Sequence, residues 1–138
     1  MIRHFMMDTN TVSQIMKGKS KAAREKLAGL RENQVACISV ITEAELRYGI
    51  AKSNRAASLL VLLEWFLARV QVRAWGSEEA AAYGELRAKQ EAAGKMVGNM
   101  DLLIAAHAIA VGATLVTAEG GFGKVADLPG IVNWATDL

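Results

Sequence analysis

The sequence predicts an α/β fold in three layers, with a mostly parallel central sheet flanked by helices. Short apolar runs of strand length alternate with longer stretches of helical periodicity from one end to the other. Apolar runs end repeatedly in acids, Ser, Thr or Asn, residues that open helices rather than prolong strands. No repeat, low-complexity tract or linker interrupts the pattern, and 138 residues suit one domain, expected over 1–138.

Ile2 to Met7 is mostly apolar and runs into Asp8-Thr9-Asn10, so a strand feeds a helix there. From Thr11 to Leu30, Val12, Ile15, Met16, Ala23, Leu27 and Leu30 recur at roughly helical spacing broken near Gly18, which predicts two helical pieces. Val35 to Val40 predicts a buried strand, and Thr42 to Ile50 a helix stopping near Gly49. Ala56 to Ala68 has almost no polar face, so that helix is buried or covered by a partner. Val70, Val72 and Trp75 suggest a third strand, and Ser77 caps a helix over Glu78 to Ala93 that ends at Gly94. After a loop from Lys95 to Asn99 come a helix from Asp101 to Val111, a strand from Ala113 to Thr117, a Gly120-Gly121 loop and a last strand near Ile131 to Trp134.

Composition narrows the function classes. A net charge of +2 gives no global polyanion signal, so a nucleic-acid surface must be local. The lone Cys37 excludes an internal disulfide and a cysteine zinc site, and its apolar neighbours predict a small core residue. The start, Met-Ile-Arg-His-Phe, reaches Asp8 before a signal-peptide stretch forms, and Leu102 to Val116 is interrupted by His107 and Gly112 and too short to cross a bilayer. A cytoplasmic protein is expected. No GxxxxGK[ST] or GxGxxG sequence is present, which disfavours a nucleotide-cradling loop.

Four acids stand out. Asp8 follows the first strand, Glu45 and Glu119 follow later ones, and Asp101 heads the helix before the strand that leads to Glu119. In parallel sheets ligands collect beyond the carboxyl ends of the strands, where these acids can meet. Gathered carboxylates repel unless a cation neutralises them, and hard divalent ions prefer such oxygen donors. Each acid also has a local explanation: Asp8 as a helix cap, Glu45 in a capping box with Thr42, Asp101 as a helix-dipole partner and Glu119 as a loop residue. Their joint pattern favours a shared site. Glu43, two residues from Glu45, points about 200° away around a helix and should differ in role. His107 is expected to be a packed histidine and His4 has no assigned role. The Lys17, Lys19, Lys21, Arg24, Lys26 stretch is expected to be a solvated face, and Trp65, Trp75 and Trp134 core or interface residues.

Met7-Asp8-Thr9-Asn10, Ile38-Ser39-Val40-Ile41-Thr42 leading into Ala44-Glu45-Leu46-Arg47-Tyr48-Gly49, Gly98-Asn99-Met100-Asp101 and Ala113-Thr114-Leu115-Val116-Thr117 occur in order along nearly the whole chain. On these residues the chain resembles PIN-domain ribonucleases, and most of all the VapC toxins of toxin–antitoxin pairs. The resemblance implies a PIN-like fold and a Mg²⁺- or Mn²⁺-dependent endoribonuclease, in which metal-activated water cleaves RNA phosphodiesters. It carries the family's metal-binding, catalytic acids onto Asp8, Glu45 and Asp101. The fourth acid of the family is usually Asp, and here Glu119 stands at that place in a loop one residue shorter. Thr9 and Ser39 match polar positions that support the ligands.

Further expectations follow from the same resemblance: an RNA substrate such as a tRNA, a small VapB-like antitoxin lying over the site, and a homodimer, with no membrane association. Ala56–Phe66 and parts of Thr11–Leu30 are candidate contact surfaces. Two alternatives remain at this point. One is a non-catalytic PIN-like module that binds RNA or protein, and the other a small-molecule phosphohydrolase using Asp8 as nucleophile.

Overall fold

The computed structural model describes residues 1–136; Asp137 and Leu138, the end of the expected domain, lie outside the described residues. In chain order the elements are β1 (Arg3–Met7), α1 (Thr9–Met16), α2 (Lys21–Ala28), β2 (Gln34–Ser39), α3 (Val40–Ala51), α4 (Ala56–Leu67), β3 (Gln71–Arg73), α5 (Ser77–Ala92), α6 (Asn99–Val111), β4 (Thr114–Val116) and β5 (Ile131–Val132). The strands form one sheet in the order β3-β2-β1-β4-β5, and every pairing is parallel. Parallel neighbours need crossover connections, which is why helices cover both faces.

The two faces follow from the alternation of side chains along each strand. Phe5 and Met7 of β1, Ala36 and Ile38 of β2 and Val116 of β4 face α1 to α4, where they meet Val12, Ile15, Leu46, Leu63 and Phe66. Met6, Cys37 and Leu115 face the other way, against Leu86 of α5 and Leu102, Ile104 and Ala105 of α6. Burial pushes the Cys37 thiol up to about 11, so it stays protonated at neutral pH and behaves as a small apolar residue. On α4 the inner residues Leu59, Leu63 and Phe66 are buried, whereas Val61 on the outer face is 68% exposed. Among the described residues no helix is long and apolar enough to cross a membrane.

Several boundaries depart from the sequence expectation, two of them because a different side chain closes the first turn. β2 ends at Ser39, whose Oγ accepts a hydrogen bond from the Ile41 amide at 3.0 Å, so α3 starts at Val40 rather than Thr42. α5 has Gly76 at its cap position and Ser77 inside the helix; the Glu79 carboxylate accepts from the Gly76 amide at 2.7 Å in place of a serine cap. α6 starts at Asn99, which leaves Asp101 in its first turn.

Gly112 ends α6 in the left-handed region, with φ of 70°, and turns the chain directly into β4. An added Cβ there would meet no neighbour within 4 Å, so a substitution would act through the backbone alone. Gly112→Ala is expected to lower stability by about 1–2 kcal/mol, the cost of a left-handed L-residue. Urea unfolding should show a lower midpoint with an unchanged slope; an unchanged midpoint would mean the turn relaxes freely.

Candidate active site

β1 lies between β2 and β4, and the connections leaving β1 and entering β4 run to opposite faces, so a crevice opens beyond their carboxyl ends. Asp8 sits at that point. Its amide donates to the Val116 carbonyl at 3.0 Å, extending the sheet by one bond beyond β1. The side chain is 3% exposed, and both oxygens are engaged. Oδ1 accepts from the Thr11 amide at 2.9 Å, and Oδ2 accepts from the Thr117 hydroxyl at 2.6 Å. Asp8 is therefore a helix cap and a member of the cluster at once. The two explanations weighed for it are not alternatives.

Glu45 projects from the second turn of α3 rather than from a strand end. With Ser39 as the cap, Thr42 is already inside the helix, so the expected Thr42–Glu45 capping box does not form. Glu45 Oε1 instead accepts from the Thr9 hydroxyl at 2.5 Å. Glu43 turns away and pairs with Arg47 at 2.7 Å, as the helical offset requires. Glu119 follows β4, is exposed, and accepts from Asn10 Nδ2. Thr9, Asn10 and Thr11, three consecutive residues of the first turn of α1, thus supply one donor each to Glu45, Glu119 and Asp8.

Asp101 is the acid on which the others converge electrostatically. Burial raises its carboxyl above the ordinary value, and the Glu119, Glu45 and Asp8 charges raise it further, in that order. Among the described residues, the ion pairs to acids engage Glu25, Glu43, Glu64, Glu91 and Asp127, and none reaches these four. The cluster therefore has no internal counter-cation. As the side chains stand, no three Asp, Glu, His or Cys groups among the described residues are close enough to share one metal ion. The donor set, oxygen-only and uncompensated, fits a hard divalent cation and not a soft one.

Of the two supporting residues expected from sequence, Thr9 touches a cluster acid and Ser39 does not. The Ser39 hydroxyl accepts from the Ile41 amide, and its oxygen lies 2.7 Å from His107 Nδ1. The contact ties the imidazole to the end of β2, with donor and acceptor set by the histidine tautomer, while Nε2 is buried with no hydrogen-bond partner among the described residues. Asn10 and Thr117 fall within the motifs that carry the resemblance but have no expected role toward the acids. Asn10 is visible there only as a polar residue beside Asp8, and Thr117 as the end of a β-branched run. Their partners lie 109 residues away in the chain, a pairing no local pattern contains.

Comparison with known proteins bears on this arrangement. The PIN domain family model matches residues 5–128. Ribonuclease VapC2 of Rickettsia felis is 39% identical over 113 residues, covering 82% of this chain and 84% of that protein. The tRNA(fMet)-specific endonuclease VapC of Shigella flexneri is 35% identical over 113 residues, with the same coverage of 82% and 84%. Among solved structures, VapBC2 from Rickettsia felis bound to a DNA fragment from its promoter superimposes with a TM-score of 0.90 at 36% identity, covering 95% of this chain and 98% of that one.

His107 is fully buried, with Trp75 packed edge-on at 5.6 Å. Burial holds its pKa below the ordinary 6.5, and Arg73 pushes the same way, against Glu79 and the Ala74 backbone. The unfolded chain takes up this proton near pH 6.5 and the folded chain only at lower pH. Stability from His107 is therefore complete above pH 6.5 and lost as pH falls through the folded value. The melting temperature of the wild type should drop more steeply between pH 7 and 5 than that of His107→Gln; parallel curves would show that His107 does not titrate in this way.

Proposed function

This chain belongs to the PIN-domain family, and within it to the VapC ribonucleases, and on that premise we propose that it is a divalent-metal-dependent endoribonuclease acting as the toxin of a toxin–antitoxin pair. The observation that carries the proposal is the gathering of Asp8, Glu45, Asp101 and Glu119 from four separate segments around one crevice, with no ion pair to any of them among the described residues. The reading takes residues 1–138 as one catalytic domain. Asp8, Glu45, Asp101 and Glu119 would hold Mg²⁺ or Mn²⁺, which when bound supplies activation of a water and stabilisation of charge on the phosphate.

The roles of the protein groups follow from how each is held. Asp8 is fixed by two hydrogen bonds and by its place in the sheet, so it sets the centre's position. Asp101 has the charge least compensated by donors, and its ionised form is stabilised by any cation that enters. Glu45 and Glu119 sit on longer, rotatable arms tethered by Thr9 and Asn10, which keep them near the crevice. None of the four needs to attack phosphorus. Asp8 in particular is ill placed as a nucleophile, being 3% exposed with both oxygens occupied, which counts against the phospho-aspartate alternative. Four uncompensated carboxylates would also repel RNA phosphates, which counts against a module that only binds RNA.

A tRNA is the substrate class that the Shigella flexneri relative's name suggests for this chain. The partner is a VapB-type antitoxin, in line with the VapBC complex of Rickettsia felis. Tyr48 of α3, 67% exposed, with Leu60 and Val61 on the outer face of α4, offers an apolar surface for that partner or for a second copy of the chain.

The test is cleavage of total tRNA and of single-stranded RNA by protein freed of any partner, in Mg²⁺, Mn²⁺ or EDTA. Asp101→Asn is the cleaner variant, because Asp8→Asn also disturbs a buried cap at a cost of about 1 kcal/mol. Asp101→Asn should lower cleavage at least about 100-fold, since loss of mere supporting groups around a metal already costs about 10–100-fold. Full activity in EDTA would end the metal reading.

Thermal melting gives a second check. The raised Asp101 pKa means that its ionisation opposes folding: the stability it contributes is present below its unfolded value and lost as pH rises through the folded one. At neutral pH without cations Asp101→Asn should therefore melt above the wild type. Mn²⁺ should raise the wild-type midpoint and leave the variant nearly unmoved. An equal Mn²⁺ shift in both proteins would remove Asp101 from the ligand set.

A further inference from the structure

A pocket of about 290 Å³ opens beside the carboxylate crevice, between α1, the α1–α2 loop and the chain that follows β4 and β5. Asn10 lines it and at the same time donates to Glu119; Ala118, also in its wall, directly precedes Glu119. The pocket and the acids thus share a rim. Its volume lies at the lower end for small-ligand sites, about 300 Å³, which admits one planar base with part of its sugar and excludes a base pair.

The lining has a flat apolar part and a polar part. Trp134, 4% exposed and packed on Phe5 at 5.7 Å, and the exposed Ala135 contribute apolar lining. Its polar side chains are Asn10, Thr11, Gln14, Lys19, Ser20 and Asn133, of which Gln14 and Lys19 are exposed and have no side-chain partner among the described residues to give up. Gln14 lies one turn beyond Asn10 on the same face of α1, and it is exposed, with no hydrogen bond from its side chain among the described residues. Its amide has one donor end and one acceptor end, the combination that reads a base edge. Lys19 is exposed and outside every ion pair among the described residues, and its amide donates to the Gln14 carbonyl at 2.9 Å, which keeps the two residues together. An ammonium there meets a phosphate without competition.

We propose that this pocket takes the base of one unpaired ribonucleotide next to the phosphate at the carboxylate crevice, with Gln14 reading the base edge and Lys19 a flanking phosphate. The proposal rests on the ribonuclease reading for its choice of ligand. It assigns selectivity to an extruded base, since a paired and stacked base cannot enter.

The test uses the full ¹⁵N-labelled chain in EDTA, so that no cation links a phosphate to the acids. The four nucleosides, their 5′-monophosphates and inorganic phosphate are titrated separately. One base should shift the Trp134 indole N–H and the Gln14 side-chain amide more than the others. Gln14→Ala should lose about tenfold in discrimination between bases, the scale of one amide–base contact. Lys19→Ala should weaken all four monophosphates alike and leave the nucleosides unaffected. Equal shifts with inorganic phosphate alone, or no shifts in this region with any nucleoside, would overturn the base assignment.

Cleavage of a partly randomised single-stranded RNA in Mn²⁺ separates this proposal from the ribonuclease reading. A base preference at one position near the cut, lost in Gln14→Ala, supports the pocket. Cleavage without pocket shifts sinks the pocket and leaves the nuclease standing. Base-selective shifts without cleavage in any metal sink the nuclease and leave a nucleotide site.

Discussion

Mutual repulsion of four carboxylates is the constraint around which the rest of this structure is arranged. Each acid comes from a different part of the chain, and no lysine or arginine among the described residues neutralises them. Three of them are held by a single helical turn. Thr9, Asn10 and Thr11 hold Glu45, Glu119 and Asp8, and the position of that turn is set by β1 at the centre of the sheet. The buried Phe5-Met6-Met7 strand, packed on both faces, is the rigid support on which this arrangement depends.

The division of labour within the cluster follows from side-chain length. Asp8 has a short arm, two donors and almost no exposure, and so behaves as part of the framework. Glu45 and Glu119 reach from farther away and owe their positions to one hydrogen bond each. The Glu119 carboxylate is tethered by the side-chain amide of Asn10.

Much of the fold is legible in the sequence because a parallel sheet leaves a strong imprint: short apolar runs, each closed by a capping residue and followed by a helix. The alternation of Phe5 and Met7 against Met6 is not legible, since a strand buried on both faces shows no polar phase. The starts of α3 and α5 differ from expectation because Ser39 and Glu79 make hydrogen bonds that sequence spacing assigns to Thr42 and Ser77. Asp8 and Glu119 stand out as acids that follow apolar strands, whereas Glu45 and Asp101 lie in the opening turns of helices and draw notice only as part of the same pattern. Asn10 and Thr117 do not stand out, because a lone amide or hydroxyl acquires meaning only through a partner more than a hundred residues away. Ser39 draws notice for its neighbourhood, yet its hydroxyl serves His107 and the start of α3.

That bond between Ser39 and His107 also determines how α6 can dock. Leu102, Leu103, Ile104, Ala105, Ala106 and Ala108 make this helix apolar nearly all round, so hydrophobic burial alone would accept it at several rotations. Turning the helix would break the bond between Ser39 and Nδ1 and leave that ring nitrogen buried without a partner, at a cost of about 1–3 kcal/mol. One polar residue thus selects a single orientation for an otherwise indifferent cylinder. The azimuth it selects is the one that presents Asp101 to the crevice.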